Sequence, residues 1–316
     1  MKQLPDYLQE EYPFKHNYLQ VSSGFRMHYL DEGPDGGAAL LMVHGNPTWS
    51  FYYRNLVKAF GEEYRVIVPD HIGCGLSDKP QQDYGYSLAE RIDDLDQLLR
   101  HLELKEIILV VHDWGGPIGI GAGLRHQEII KGLVIFNTAA FLSKRIPWRI
   151  NICRIPVFGE ISILGLNAFA RAATCMATTR AGGLPVHIAS GFTWPYDNWQ
   201  NRIAILKFVH DIPLKPAHKS YAVVKEIQDK LVLFKNTPKM ILWGERDFCF
   251  TLEFLEKWLE YYPDAQVHRF PDAGHYVVED ALDDILVELG EFVNRIFPKT
   301  AENSSVKNGS SSSSRK

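Results

Sequence analysis

The chain has 316 residues, 46% hydrophobic and 23% charged, a soluble globular balance that excludes a disordered or fibrous polypeptide. Thirty-four Lys and Arg against 38 Asp and Glu give a net charge of −4, too mild a balance to suggest a nucleic-acid partner. Four cysteines without close spacing give no zinc signature, and neither a metal nor another cofactor is expected.

The N-terminal residues carry charges and Pro where a signal peptide needs an apolar run. Internal apolar stretches such as 161–170 fall far short of the roughly 20 residues that cross a bilayer. A cytoplasmic protein with no integral membrane segment is expected. From residue 25 onward, strand-like and helix-like runs alternate. Residues 25–31 alternate and end in Glu32-Gly33-Pro34. Residues 38–43 form an unbroken apolar run that ends at His44-Gly45-Asn46-Pro47. Residues 65–69 are β-branched and end at Asp70. Ser87 and Glu90 have capping-box spacing before a periodic helix through Leu102. Residues 107–111 are another apolar run, followed by His112-Asp113 and a Gly-rich helix over 115–126. Such repetition predicts an α/β fold with a doubly wound, mostly parallel sheet, whose ligands lie at the carboxyl ends of the strands.

From about residue 139 to 230 the strand signal fades, and Trp, Phe, Pro and Gly become dense. An inserted helical cap is expected there. Sheet pattern resumes at 239–243, followed by a helix over 252–261, a strand over 265–270 and a last helix over 282–297. The expected domains are therefore a first core part (1–138), a helical cap (139–230), a second core part (231–298) and a disordered Ser-rich tail (299–316).

The chemistry concentrates at the strand ends. Val111-His112-Asp113-Trp114-Gly115-Gly116 has the form of a nucleophile elbow, with Asp113 where Ser is usual. Read alone, Asp113 is equally well a helix N-cap. Its context favours the elbow: Asn46 lies at an oxyanion turn, Asp247 follows a later strand, and His275 follows the last. The order nucleophile, acid, base is that of the α/β-hydrolase fold. A carboxylate is ionised at neutral pH and can displace a leaving group from saturated carbon without prior deprotonation. His275 would then activate water against the resulting ester, oriented by Asp247. Backbone N–H groups of Asn46 and Trp114 would hold the oxyanion. The Asn46 amide and the Trp114 indole are donors suited to a departing halide ion.

On these residues the chain resembles the haloalkane dehalogenases of the α/β-hydrolase superfamily. HGNPTWS (44–50), PDHIGCGLSDKP (69–80), VHDWGGPIG (111–119) and AGHYVVED (273–280) carry the likeness, which runs from about residue 18 to 297. It implies Asp113 as nucleophile, His275 as base, Asp247 as acid, and Asn46 with Trp114 as halide ligands. Some members place the acid after the sixth strand. Here Ile135-Phe136-Asn137 offers none, so Asp247 with Asn46 is similar to the third subfamily. The resemblance also implies a tendency to self-associate, so a homo-oligomer is one expectation.

A second likeness concerns the substrate. Phe136-Asn137-Thr138-Ala139-Ala140-Phe141, Pro195-Tyr196-Asp197-Asn198-Trp199, His210-Asp211-Ile212-Pro213-Leu214 and Arg246-Asp247-Phe248-Cys249-Phe250 resemble the β-lactone decarboxylases of bacterial olefin biosynthesis. Halide displacement from a small apolar alkyl halide is the first reading and cis-β-lactone decarboxylation the alternative; the catalytic motifs do not separate the two, while the cap segments lean toward the lactone. An epoxide hydrolase would want an aromatic at Asn46 and cap tyrosines, for which Tyr196 and Tyr221 are the candidates. A serine esterase lacks its Ser, and Gly73-Cys74-Gly75 misses the last glycine of a dinucleotide motif. A non-enzymatic scaffold for a hydrophobic ligand would be expected to have lost Asp113, Asp247 or His275, and all three are present.

Overall fold

A computed structural model describes residues 4–35 and 38–298; the tail expected at 299–316 lies outside the described residues. Eight strands form one sheet: β1 (Asn17–Gln20), β2 (Arg26–Glu32), β3 (Ala38–Val43), β4 (Arg65–Pro69), β5 (Glu106–Asp113), β6 (Ile130–Thr138), β7 (Lys239–Gly244) and β8 (Gln266–Phe270). Their order across the sheet is β1-β2-β4-β3-β5-β6-β7-β8. The β1–β2 and β2–β4 pairs are antiparallel, and every later pair is parallel. This is the doubly wound, mostly parallel sheet expected of an α/β-hydrolase fold.

Strand alternation explains the unbroken apolar runs. Leu41, Val43, Leu109 and Val111 join one buried cluster, while Leu40, Met42, Ile108 and Val110 join the other. Both faces of the central strands are covered, so every position in the run must be apolar. The strand expected at 107–111 continues to Asp113 because β6 pairs with it to the end, Thr138 lying opposite Asp113. Four-residue β1 escapes a sequence reading: its positions are all partly or fully exposed, which leaves no apolar pattern.

In the core, helices α1 (Asp6–Gln9), α2 (Arg54–Phe60), α3 (Leu88–His101) and α4 (Gly115–Gly123) precede β6. The capping box opening α3 is formed, with Glu90 accepting from the Ser87 N–H at 2.9 Å. Helix α4 ends three residues earlier than expected, giving way to a 3-10 turn, Gln127–Ile129. Between β6 and β7 the described residues form helices and turns only: α5 (Trp148–Ile152), α6 (Ala168–Met176), α7 (Val186–Thr193), α8 (Ile203–His210) and α9 (Lys219–Lys230). Ile163, Leu164, Tyr196, Ile205 and Val209 give this layer its own small core. Helices α10 (Leu252–Tyr261), α11 (Val277–Asp280) and α12 (Leu282–Ile296) complete the fold. Among the described residues no helix is long and apolar enough to cross a membrane.

Candidate active site

Asn46 follows β3, Asp113 ends β5, Asp247 follows β7 and His275 follows β8, all at the carboxyl edge of the parallel sheet. Asp113 is the sharpest feature. Its φ of +51° lies in the left-handed region, where a side chain with Cβ costs about 1–2 kcal/mol. The surroundings hold it there. A Cβ on Gly115 would stand 1.9 Å from the Val43 carbonyl oxygen, so only Gly lets α4 begin directly behind the turn. The Thr138 hydroxyl donates to the Asp113 carbonyl.

The carboxylate is fixed from two sides. The Asn46 backbone N–H donates to Asp113 Oδ1 at 2.6 Å. Asp113 Oδ2 lies 3.8 Å from His275 Nε2. The opposite ring nitrogen, His275 Nδ1, meets Asp247 Oδ2 at 2.8 Å, and Asp247 Oδ1 accepts from the Cys249 N–H at 2.6 Å. Asp113, His275 and Asp247 thus form one continuous chain of contacts. Asn46 Nδ2 donates only a long 3.4 Å bond to the Ile205 carbonyl, so its second N–H is available to a ligand. The Trp114 ring packs on Phe208 with centroids 5.4 Å apart.

Electrostatics poise the pair. Burial pushes the Asp113 carboxyl above its ordinary 3.8, against the pull of His275 and of the Asn46 and Trp114 N–H groups. Burial works to lower His275, but the Asp247 and Asp113 carboxylates more than offset it and hold the imidazole above 6.5. Cys249 Sγ joins Asp247 and His275 in a group whose ligand-type atoms lie within 4.8 Å of one another. Burial pushes that thiol well above its ordinary value, and His275 Nδ1 is engaged by Asp247, so the group is an acid–base pair beside a neutral thiol.

An apolar cavity of about 470 Å³ opens over Asp113, bordered by Asn46, Trp114 and His275 below and by the cap above. Of the cap aromatics, Trp148, Phe158 and Phe169 line it. Phe192 instead stacks on Tyr276 and Trp194 lies against Trp49, both packing cap to core. Tyr196 donates to the Thr48 carbonyl at 3.2 Å, and neither it nor Tyr221 lines the cavity.

Several supporting residues carry no short-range signal. Asn137 exchanges two hydrogen bonds with the Gly244 backbone, at 2.9 and 2.8 Å, which ties the end of β6 to the end of β7 just before Asp247. Thus Asn137, at the end of the sixth strand, serves as a clamp between the two strand ends. His112 Nε2 pairs with the His275 carbonyl at 2.9 Å, and Phe250 stacks on the His275 ring. The Asn137, Thr138 and His112 contacts span 107, 25 and 163 residues of chain, beyond any motif window.

A family profile described as the α/β-hydrolase fold matches residues 38–152. The chain is 47% identical over 286 residues to a cis-3-alkyl-4-alkyloxetan-2-one decarboxylase of Shewanella oneidensis, covering 89% of each. It is 43% identical to the protein of that name from Xanthomonas campestris pv. campestris, covering 90% of this chain and 97% of the relative. Haloalkane dehalogenase 2 of Mycobacterium tuberculosis is 28% identical, covering 89% of this chain and 95% of the relative. Among solved structures, the haloalkane dehalogenase DatA of Agrobacterium tumefaciens superposes with a TM-score of 0.80 at 22% identity, over 89% of this chain and 97% of that one.

Proposed function

This chain belongs to the α/β-hydrolase family shared by the haloalkane dehalogenases and the cis-3-alkyl-4-alkyloxetan-2-one decarboxylases, and we propose that it converts a cis-3,4-dialkyl β-lactone to an alkene and CO₂. The observation that carries this reading is identity: 47% and 43% to two decarboxylases across nearly the whole chain, against 28% to a dehalogenase. Identity thus favours the lactone alternative, toward which the cap segments also lean, over halide displacement as first reading.

The site geometry accommodates the chemistry. Asp113 Oδ2 attacks the ring carbon that bears oxygen, from the face opposite that oxygen. The carbon–oxygen bond breaks, its electron pair stays on oxygen, and a carboxylate is released on the neighbouring carbon while an alkyl–Asp113 ester forms. The Asn46 and Trp114 side-chain donors receive the new carboxylate. Next, the carbon–carboxylate pair becomes the alkene π bond, CO₂ departs, and the ester pair returns to Asp113. No water is consumed. Inversion at the first step followed by anti departure at the second gives a cis alkene from a cis lactone.

Halide displacement is the second reading, favoured by the position of His275 between Asp247 and Asp113. There the same ester forms, halide leaves against Asn46 and Trp114, and His275 takes a proton from the water that attacks the ester. A side-by-side assay of a long-chain cis-β-lactone and a 1-bromoalkane decides. Alkene formation is expected to outrun bromide release; the reverse ranking would overturn the lactone reading.

The two reactions should also part with pH. Hydrolysis needs neutral His275, whose pKa stands above 6.5, so bromide turnover is lost as pH falls through that raised value. Decarboxylation needs only ionised Asp113, and an imidazolium 3.8 Å away favours that form. Its acidic limb is therefore expected at lower pH, and coincident limbs in the two kcat profiles would show that both reactions need neutral His275.

A further inference from the structure

The whole-chain charge conceals a segregation. Residues 139–180 hold Lys144, Arg145, Arg149, Arg154, Arg171 and Arg180 against Glu160 as the only acid, +5 in a chain of net −4. The same stretch presents the densest exposed apolar surface of the cap: Trp148, Ile155, Val157, Phe158 and Ile161 are each half or more exposed, Trp148 reaching 65%. Four of these five sit on one short turn, closed by the Gly159 N–H on the Ile155 carbonyl and the Ile161 N–H on the Val157 carbonyl, both at 2.9 Å. Val157 is held at φ +64°, a conformation that β-branched side chains avoid, and its side chain is 64% exposed. A strained backbone that displays an apolar side chain to solvent is not explained by packing.

This surface rims the cavity. Trp148 and Phe158 are exposed and also line it, and Arg149 lies over the Trp148 ring at 5.0 Å. Arg145 is paired with Glu253 and Arg154 is turned onto the Val209 and Ile212 carbonyls, whereas Lys144, Arg149 and Arg171 are exposed. Arg171 rises from α6, whose Phe169 and Met176 face the same cavity. Apolar side chains on an exposed turn, flanked by cations, are the composition that inserts into the interface of an anionic bilayer. We propose that the turn 155–161, with Trp148 and the neighbouring basic residues, docks on an anionic lipid surface, so that an apolar substrate reaches the cavity from that side. Only the delivery of substrate rests on the proposed reaction; the docking does not.

The test is co-flotation of the full chain with phosphatidylcholine vesicles, with and without phosphatidylglycerol. Binding is expected to require the anionic lipid and to weaken with salt. Val157→Glu with Ile161→Glu, neither of which lines the cavity, should lower it at least about tenfold. Lys144→Ala with Arg171→Ala should lower it on anionic vesicles. Should the glutamate pair fail to fold, Val157→Gly removes the apolar side chain while relieving the backbone, and weaker flotation is again expected. Absence of flotation, or equal binding to neutral vesicles, would overturn the proposal. So would a gel-filtration shift from oligomer to monomer in these variants, since the patch would then be covered by a second copy of the chain.

Discussion

Asp113→Ala is expected to lower turnover at least about 10⁴-fold on both β-lactone and bromoalkane, because both reactions begin with the same bond to the same oxygen. No neighbour can substitute. Asp247 is committed to His275 Nδ1 and the Cys249 N–H, and burial keeps the Cys249 thiol protonated. Removing the carboxylate deletes a buried charge, while Ala retains the left-handed backbone at φ +51°, so the thermal midpoint should move little. Single-turnover measurements on both substrates check the expectation, and retention of more than about 1% of wild-type rate on either would remove Asp113 as the nucleophile.

His275→Ala should divide the two chemistries. With a bromoalkane, one equivalent of bromide is expected per enzyme and then a halt, with the alkyl group retained on Asp113 and visible by mass. Loss of the general base accounts for about 10²–10⁴-fold in the hydrolytic step. With a β-lactone no water is activated, and the loss should stay within about tenfold, reflecting only the missing positive charge beside Asp113. Collapse on both substrates would mean that His275 takes part in CO₂ release. Absence of the alkyl adduct with an active halide would argue against the ester.

Much of this arrangement is legible in the sequence because it is local. The elbow around Asp113 depends on Gly115, two positions away, and the capping box of α3 lies within four residues. Strands β3, β4, β5 and β7 announce themselves as apolar runs because both their faces are buried. Relations across the chain are not legible. Nothing near Asn137 signals that it clamps Gly244, and nothing near Thr138 signals that its hydroxyl holds the Asp113 carbonyl. The net charge of −4 gives no hint that Lys144 to Arg180 gather on the cap, because a sum discards position. Of the cap aromatics, composition cannot separate Phe169, which lines the cavity, from Phe192, which stacks on Tyr276.

The site draws its reacting groups and most of its container from different parts of the chain. Asn46, Asp113, Trp114, Asp247 and His275 stand at the carboxyl edge of the sheet, whereas Trp148, Phe158 and Phe169 come from the single helical excursion between β6 and β7. Mutational drift in that excursion can reshape what the cavity admits while leaving the Asp113 carboxylate and the His275 imidazole in place, provided that Ile205 and Phe208, which touch Asn46 and Trp114, are kept. A lineage built this way can exchange one strained or activated electrophile for another through changes in one contiguous stretch of its gene. Relatives named as decarboxylases and as haloalkane dehalogenases match this chain over nearly all of its length, as such a division of labour allows.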